Sequence, residues 1–228
     1  MLVKEWNKLP EFMQVEEVRP YYETLRKKKG QLILKRIFDI VCSFILIVLL
    51  SPVLLFLAIW IKLDSKGPVF YRQERITQYG KIFRIFKFRT MVTNADKIGT
   101  LVTTQNDSRI TKVGNKIRKC RLDELPQVFN IFVGDMSFVG TRPEVQKYVD
   151  AYTKEMNATL LLPAGVTSLA SIKYRDEDEI IEQKTNEGKT VDQAYIEDVL
   201  PEKMKYNLEY LDEFNIGRDL SLCVKTVI

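Results

Sequence analysis

The sequence predicts a mainly α-helical, monotopic membrane protein with a small β element, and three observations carry that reading. The stretch from Ile40 to Ile61, IVCSFILIVLLSPVLLFLAIWI, holds no charged residue and is interrupted only by Ser51-Pro52. It is flanked on both sides by cations. Downstream, apolar residues recur at helical spacing after a single short region rich in Phe and Ile.

About 20 apolar residues in a helix cover the ~30 Å hydrocarbon core, so hydropathy alone favours a spanning helix. Proline removes a backbone donor and crowds the preceding turn, which predicts a break near Ser51-Pro52. Arg26, Lys27, Lys28, Lys29, Lys35 and Arg36 precede the run with no acid among them. Between Lys62 and Arg89, eight cations stand against Asp64 and Glu74. Both flanks obey the positive-inside tendency together only when both ends lie on the cytoplasmic face. Arms of about ten residues, each ~15 Å long, then enter one leaflet and return as a re-entrant helix-break-helix.

The expected organisation is an N-terminal arm over residues 1–34, a re-entrant membrane helix over 35–65 and a cytoplasmic-face domain over 66–228. The arm is polar with scattered aromatics (Trp6, Phe12, Tyr21, Tyr22), and reads as irregular or interfacial. Lys35 and Arg36 are placed to snorkel to the headgroups. A signal peptide is not expected, because the first apolar run starts near residue 37 and is too long for one. The net charge of +5 is mild and clusters beside the apolar run, which suits a membrane surface rather than a nucleic acid. Three cysteines without paired spacing argue against a disulfide framework or a zinc site. The chain has no histidine, so acid–base or metal chemistry falls to carboxylates and lysine.

After the apolar run, Ser65-Lys66-Gly67-Pro68 is a turn, and Val69 onward a short strand. Tyr79-Gly80 reads as a second turn before Ile82 to Phe88, giving a small hairpin at the membrane surface. Ala95 to Asn106 reads as a loop or short helix. Ile110 to Asn130 shows helical spacing, and a helix is also expected from Glu144 to about Met156. Arg175 to Glu187 is acidic and reads as a solvated segment.

The candidate chemistry lies in RKCRLDELPQVFN, Arg118 to Asn130. Asp123 and Glu124 can be a helix cap and a dipole partner, with Pro126 in the first turn. They can also be a carboxylate pair beside arginines that attract phosphate. These readings are compatible. Gly134 to Glu144 adds Gly-Thr-Arg-Pro-Glu, with Arg142 stiffened by Pro143.

The segments KRIFDIVCSFILIVLLSPVLL, KIFRIFKFRTM and RKCRLDELPQVFNIFVGDMSFVGTRPE, in that order and spacing, resemble the bacterial sugar transferase family, the monotopic phosphoglycosyl transferases. The resemblance covers Lys35 to Glu144 strongly and resumes weakly toward the C-terminus, where Asp219-Leu220 and Thr226 fall in matching places. It implies transfer of a sugar 1-phosphate from a nucleotide diphosphate sugar, usually a UDP-sugar, to polyprenyl (undecaprenyl) phosphate in the bacterial inner membrane, initiating surface glycan assembly such as exopolysaccharide, capsule or lipopolysaccharide. By the same resemblance Asp123 is the nucleophile, Glu124 the ligand of a Mg²⁺ cofactor, and Ser51-Pro52 the helix break. Arg118, Lys87, Arg89, Arg142, Pro143 and Glu144 are the candidate phosphate or substrate contacts, and for Lys87 and Arg89 a basic face toward anionic lipid is the alternative. In Leu162 to Ser168 an alanine is inserted and Ser168 stands where the family usually has glycine, which bears on the nucleotide-side loop or the choice of sugar. The oligomeric state is left open. The rival class is a non-catalytic membrane-anchored protein in which the acidic pair is only a cap.

Overall fold

The computed structural model describes residues 3–95, 108–174 and 176–227. The expectation for the segment after Ala95 lies outside the described residues.

Helix α1 (Arg19–Lys27) leads into α2 (Lys29–Asp64), which carries the apolar run. Helix α2 is one helix of 36 residues and is not divided at Pro52. The reason is local. In an unbroken helix the Pro52 nitrogen would donate to the Val48 carbonyl, and the Ser51 hydroxyl donates to that carbonyl instead, at 2.8 Å. Most of the run faces outward, with Leu49, Leu55 and Phe56 its most exposed apolar side chains. It is the one helix among the described residues long and apolar enough to cross a membrane.

The arm before α2 is part of the core. Leu9, Met13, Val18 and Leu25 are buried with Leu32 against Leu160, Leu161, Tyr210 and Phe214. Of the scattered aromatics, Tyr21 and Tyr22 are buried in this core and Trp6 packs against it, whereas Phe12 is exposed; Trp6 and Phe12 lie in short 3₁₀ turns (Trp6–Lys8 and Glu11–Met13), which removes any common helical period.

Lys35 and Arg36 do not reach outward to headgroups. Lys35 is buried and donates to the Asp219 carboxylate at 2.5 Å and the Val139 carbonyl at 2.8 Å. Arg36 donates to the carbonyls of Ile131 and Phe132. The narrow stripe of α2 that packs on the domain includes Leu32, Lys35, Asp39 and Ser43, and it brings these cations to carbonyls and a carboxylate.

Strands β1 (Phe70–Ile76) and β2 (Ile82–Phe88) form the expected antiparallel hairpin, with Tyr79 and Gly80 both at positive φ in the turn. The register pairs Tyr71 with Lys87, Gln73 with Ile85 and Arg75 with Phe83. Paired residues in antiparallel strands share a face. Lys87 and Arg75 therefore share the inner face with Phe83 and Ile85, which pack on Ile131 and Met136.

The helical stretch expected from Ile110 to Asn130 is divided. Helix α3 (Lys112–Lys119) is capped by Thr111, and α4 (Gln127–Val133) follows a 3₁₀ turn over Leu122–Glu124. The division falls at Arg121, which takes a left-handed conformation at φ 52° that a non-glycine residue adopts only when its surroundings impose it. Leu122 and Leu125 on either side of the acidic pair insert among Leu57, Ile61, Phe88 and Ile117, which supplies that constraint.

Strand β3 (Met136–Val139) pairs in parallel with β4 (Ala164–Thr167). The crossing of Gly140 and Gly165 needs both to be glycine, since a Cβ on Gly165 would stand 2.2 Å from the Gly140 nitrogen. The helix expected from Glu144 to Met156 is only one turn, α5 (Gln146–Val149). Glu144 precedes it in place, because its carbonyl accepts from Ile76 and its side chain is held by Tyr195. The chain closes with α6 (Leu169–Lys173), α7 (Glu177–Asn186), α8 (Val191–Ala194), a π-helical turn (Tyr195–Val199), α9 (Leu200–Asp212) and α10 (Ile216–Val227). Ser168 is the N-cap of α6 and accepts from the Ser171 N–H, a role glycine cannot fill with a side chain.

Candidate active site

Three tethers set the acidic pair in place. The Asn130 side chain accepts from Phe86 N–H at 2.8 Å and donates to the Arg84 carbonyl at 3.1 Å, locking β2 to α4. Asp64 at the end of α2 accepts from Val113 N–H at the start of α3. The apolar cluster around Leu122 and Leu125 completes the frame.

Neither Asp123 nor Glu124 caps a helix with its side chain. The residue in the N-cap position of α4 is Pro126, and that of the 3₁₀ turn is Arg121. Glu124 is instead clasped through one oxygen. Lys87 donates to Glu124 Oε1 at 2.7 Å and Arg142 donates to the same oxygen at 3.0 Å. Burial works against its ionisation, but Arg142 and then Lys87 outweigh burial and bring the carboxyl down to about 2. Asp123 moves the other way. Burial pushes its carboxyl above the ordinary value, and Lys87 and Arg118 offset only part of that push. Burial likewise pulls the Lys87 ammonium down against the attraction of Glu124.

Asp123, Lys87, Arg89 and Arg118 line one cavity of about 240 Å³ between the hairpin and α3. Arg89 is buried, so a lipid-facing role does not describe it. Its Nη2 donates to the carbonyl and hydroxyl of Ser65, and its Nε and Nη1 have no partner among the described residues. Gly67 leaves room for that guanidinium, since a Cβ there would stand 2.1 Å from Nη1.

Arg142, Pro143 and Glu144 face a neighbouring cavity of about 200 Å³. The Pro143 carbonyl accepts from Arg75, and the Glu144 carboxylate accepts from the Tyr195 hydroxyl at 2.5 Å with Lys203 nearby at 3.6 Å. Gln73 and Arg75 line both cavities, so the two adjoin.

Sequence reasoning missed Gln73, Arg75, Tyr195 and Lys203. For Arg75 there was a signal, a charge at a period-2 position whose neighbours Phe83 and Ile85 are buried. Tyr195 and Lys203 come from segments 51 or more residues from Glu144 along the chain, and no spacing links them.

The donor set can be tested against Mg²⁺. Both bonds to Glu124 use Oε1, leaving Oε2 without a partner among the described residues. Among the described residues no three acidic or cysteine side chains converge on one point. One or two carboxylates completed by phosphate oxygens and water is the usual protein share of a Mg²⁺ site, so the residues fit Mg²⁺ held together with a phosphorylated ligand.

A half-buried acidic pair in a cation-rich cleft defines the class as a protein with an anion-handling site, set beside an exposed helix long and apolar enough to cross a membrane. The particular family follows from sequence comparison. The model of the bacterial sugar transferase family matches residues 30–228, and the chain belongs to that family. It is 36% identical over 215 residues to the UDP-glucose:undecaprenyl-phosphate glucose-1-phosphate transferase of Escherichia coli, covering 92% of this chain and 42% of the relative. It is 34% identical over 197 residues to the UDP-N-acetylgalactosamine-undecaprenyl-phosphate N-acetylgalactosaminephosphotransferase of Aeromonas hydrophila, covering 85% and 43%. It is 37% identical over 166 residues to the undecaprenyl-phosphate galactose phosphotransferase of Salmonella typhimurium, covering 66% and 34%. The chain thus spans less than half the length of these three relatives.

Proposed function

We propose that the protein transfers a sugar 1-phosphate from a UDP-sugar to undecaprenyl phosphate at the cytoplasmic face of the bacterial inner membrane, the first step of a surface glycan. The observation that carries this reading is Asp123, a carboxylate that caps nothing and lies in a cavity with Lys87, Arg89 and Arg118. The relatives, named for such transfers with glucose, galactose and N-acetylgalactosamine, support it and leave the sugar to be found.

The reaction proceeds in two displacements. An Asp123 oxygen attacks the phosphorus that bears the sugar, the bond to the bridging oxygen breaks and UMP leaves with that oxygen. A phosphate oxygen of undecaprenyl phosphate then attacks the same phosphorus, the bond to Asp123 breaks and the carboxylate is restored. Splitting the transfer lets a soluble donor and a membrane-bound acceptor use one site in turn. Each attack brings anion toward anion, so Lys87, Arg118 and Arg89 must neutralise charge around the phosphates. Mg²⁺ held by Glu124 and the diphosphate would add to that neutralisation. Arg142 fixes the orientation of Glu124.

We propose that both ends of α2 lie on one face of the membrane, as the re-entrant reading requires, although the helix is continuous at Pro52. Lys35 and Asp39 of α2 bond to β3 and α10, while Asp64 at its other end bonds to α3, so one body grips both ends. Asp39 and Asp64 are about 37 Å apart along a straight helix, more than the ~30 Å core, and a spanning helix would draw the polar domain into lipid.

The test is UMP release by the purified protein with Mg²⁺ and undecaprenyl phosphate across a panel of UDP-sugars. We expect release from at least one donor, lost on Asp123→Asn. Release by Asp123→Asn at the wild-type rate would remove Asp123 from the chemistry.

A further inference from the structure

We infer that the second cavity, between the Arg142-Pro143-Glu144 segment and α7 and α9, receives the sugar of the donor, and that Glu177 and Lys203 select it. This rests on the proposed transfer and assigns the part of its substrate that the acidic pair does not touch.

Charge separates the two cavities. The first is lined by Arg75, Lys87, Arg89 and Arg118 against Asp123, and Lys87 is already paired with Glu124, which still leaves an excess of cation. Such an excess of cation suits two phosphates. The second is lined by Arg75, Arg142 and Lys203 against Glu144 and Glu177, and Arg142 is already paired with Glu124. That surface is close to neutral and dense in hydrogen-bonding groups. It is ill suited to a diphosphate and well suited to an uncharged group with many hydroxyls.

The polar groups there are held in fixed positions. Lys203 is buried and donates to the Tyr195 hydroxyl at 2.9 Å, with a Glu177 oxygen at 3.1 Å. Tyr195 in turn donates to Glu144. The π-helical turn over Tyr195–Val199 is what aims Tyr195 and α9 at this point, and such turns recur at functional sites. Glu177 remains a third exposed, so it can accept from a ligand hydroxyl while bound to Lys203. Position agrees with charge. The first cavity shares Phe70 and Phe88 with the apolar cluster that holds the end of α2. The second is bounded by α7 and α9, in which no residue belongs to that cluster. The sugar of a soluble donor then points away from the membrane side, with the sugar-bearing phosphate between the cavities beside Asp123.

Two variants of the full chain test this: Glu177→Gln, which keeps size and removes the anionic acceptor, and Ile181→Trp, which narrows the cavity without touching a buried charge. For each, kcat/KM is measured across UDP-sugar epimers, and UDP is used as a competitive inhibitor because it carries the nucleoside and diphosphate without the sugar. We expect Glu177→Gln to change the ratio of kcat/KM between the preferred donor and its epimers by roughly tenfold or more, the scale of one hydrogen bond to a charged group. Ile181→Trp raises the donor KM, and the Ki for UDP stays at its wild-type value in both. A Ki for UDP that rises with the donor KM would put the nucleoside in this cavity and overturn the inference. Unchanged donor ratios and KM in both variants would also overturn it, while leaving the transfer intact. A wild-type protein that releases UMP from no donor removes the transfer itself, and this inference with it.

Discussion

Asp123 and Glu124 are neighbours in sequence with opposite electrostatic fates, and the cause is the geometry of two cations. Arg142 and Lys87 both bond Glu124, so its carboxyl lies near 2, well under the ordinary 4.5. Its contribution to stability is present above about pH 4.5 and is lost as pH falls toward 2. Asp123 has Lys87 only as a neighbour, and burial raises it. In the nucleophilic role proposed above it must be ionised, so the rate of the proposed transfer should fall with decreasing pH through a value above 3.8. Lys87→Met removes a cation that favours the Asp123 carboxylate, and it should move that acidic limb to higher pH as well as lowering kcat. A pH profile of UMP release checks both, and a limb that stays in place would separate Lys87 from Asp123. The acidic pair was legible in the sequence as a pair. Which of the two is clasped was not, because Lys87 and Arg142 lie 37 and 18 residues from Glu124 along the chain.

At the scale of elements, the least legible contact is the one that ties the apolar helix to the body. Lys35 looked like a headgroup anchor, since a lysine at the edge of an apolar run usually reaches for water. It is buried against Asp219 of α10, with side-chain exposures of 2% and 3%. Removing one member of a buried pair strands the other, at a cost of about 3–5 kcal/mol. Lys35→Met should lower the unfolding temperature of the detergent-solubilised protein substantially, and Lys35→Met with Asp219→Leu should recover much of the loss. Equal destabilisation in the single and double variants would show that the pair is not the source. The break at Pro52 was legible as chemistry but not as shape. Ser51 takes the orphaned Val48 carbonyl, and α2 runs on through the proline. The hairpin was legible because its turn and its aromatic-rich strand are local signals, whereas the helix from Ile110 was divided by packing around Leu122 and Leu125.

For the whole molecule, the same body holds both ends of α2, and the arrangement proposed above puts residues before and after the apolar run on one side of a membrane. Single cysteines at Lys27 and Lys66, introduced in a background lacking Cys42, Cys120 and Cys223, should both be labelled by a membrane-impermeant maleimide from the cytoplasmic side of inverted vesicles. Labelling of the two from opposite sides would restore a spanning helix. The sequence by itself determined the apolar helix, the hairpin, the acidic pair and the lack of histidine in this chain, because each is written in neighbouring residues or in composition. Only the tertiary structure decided that the N-terminal arm is core, that Lys35 faces inward, that Glu124 is the clasped carboxylate and that a second, nearly neutral cavity adjoins the first. Those features depend on contacts between residues far apart in the chain, which form only when burial of apolar surface brings their elements together, and local spacing carries no record of them.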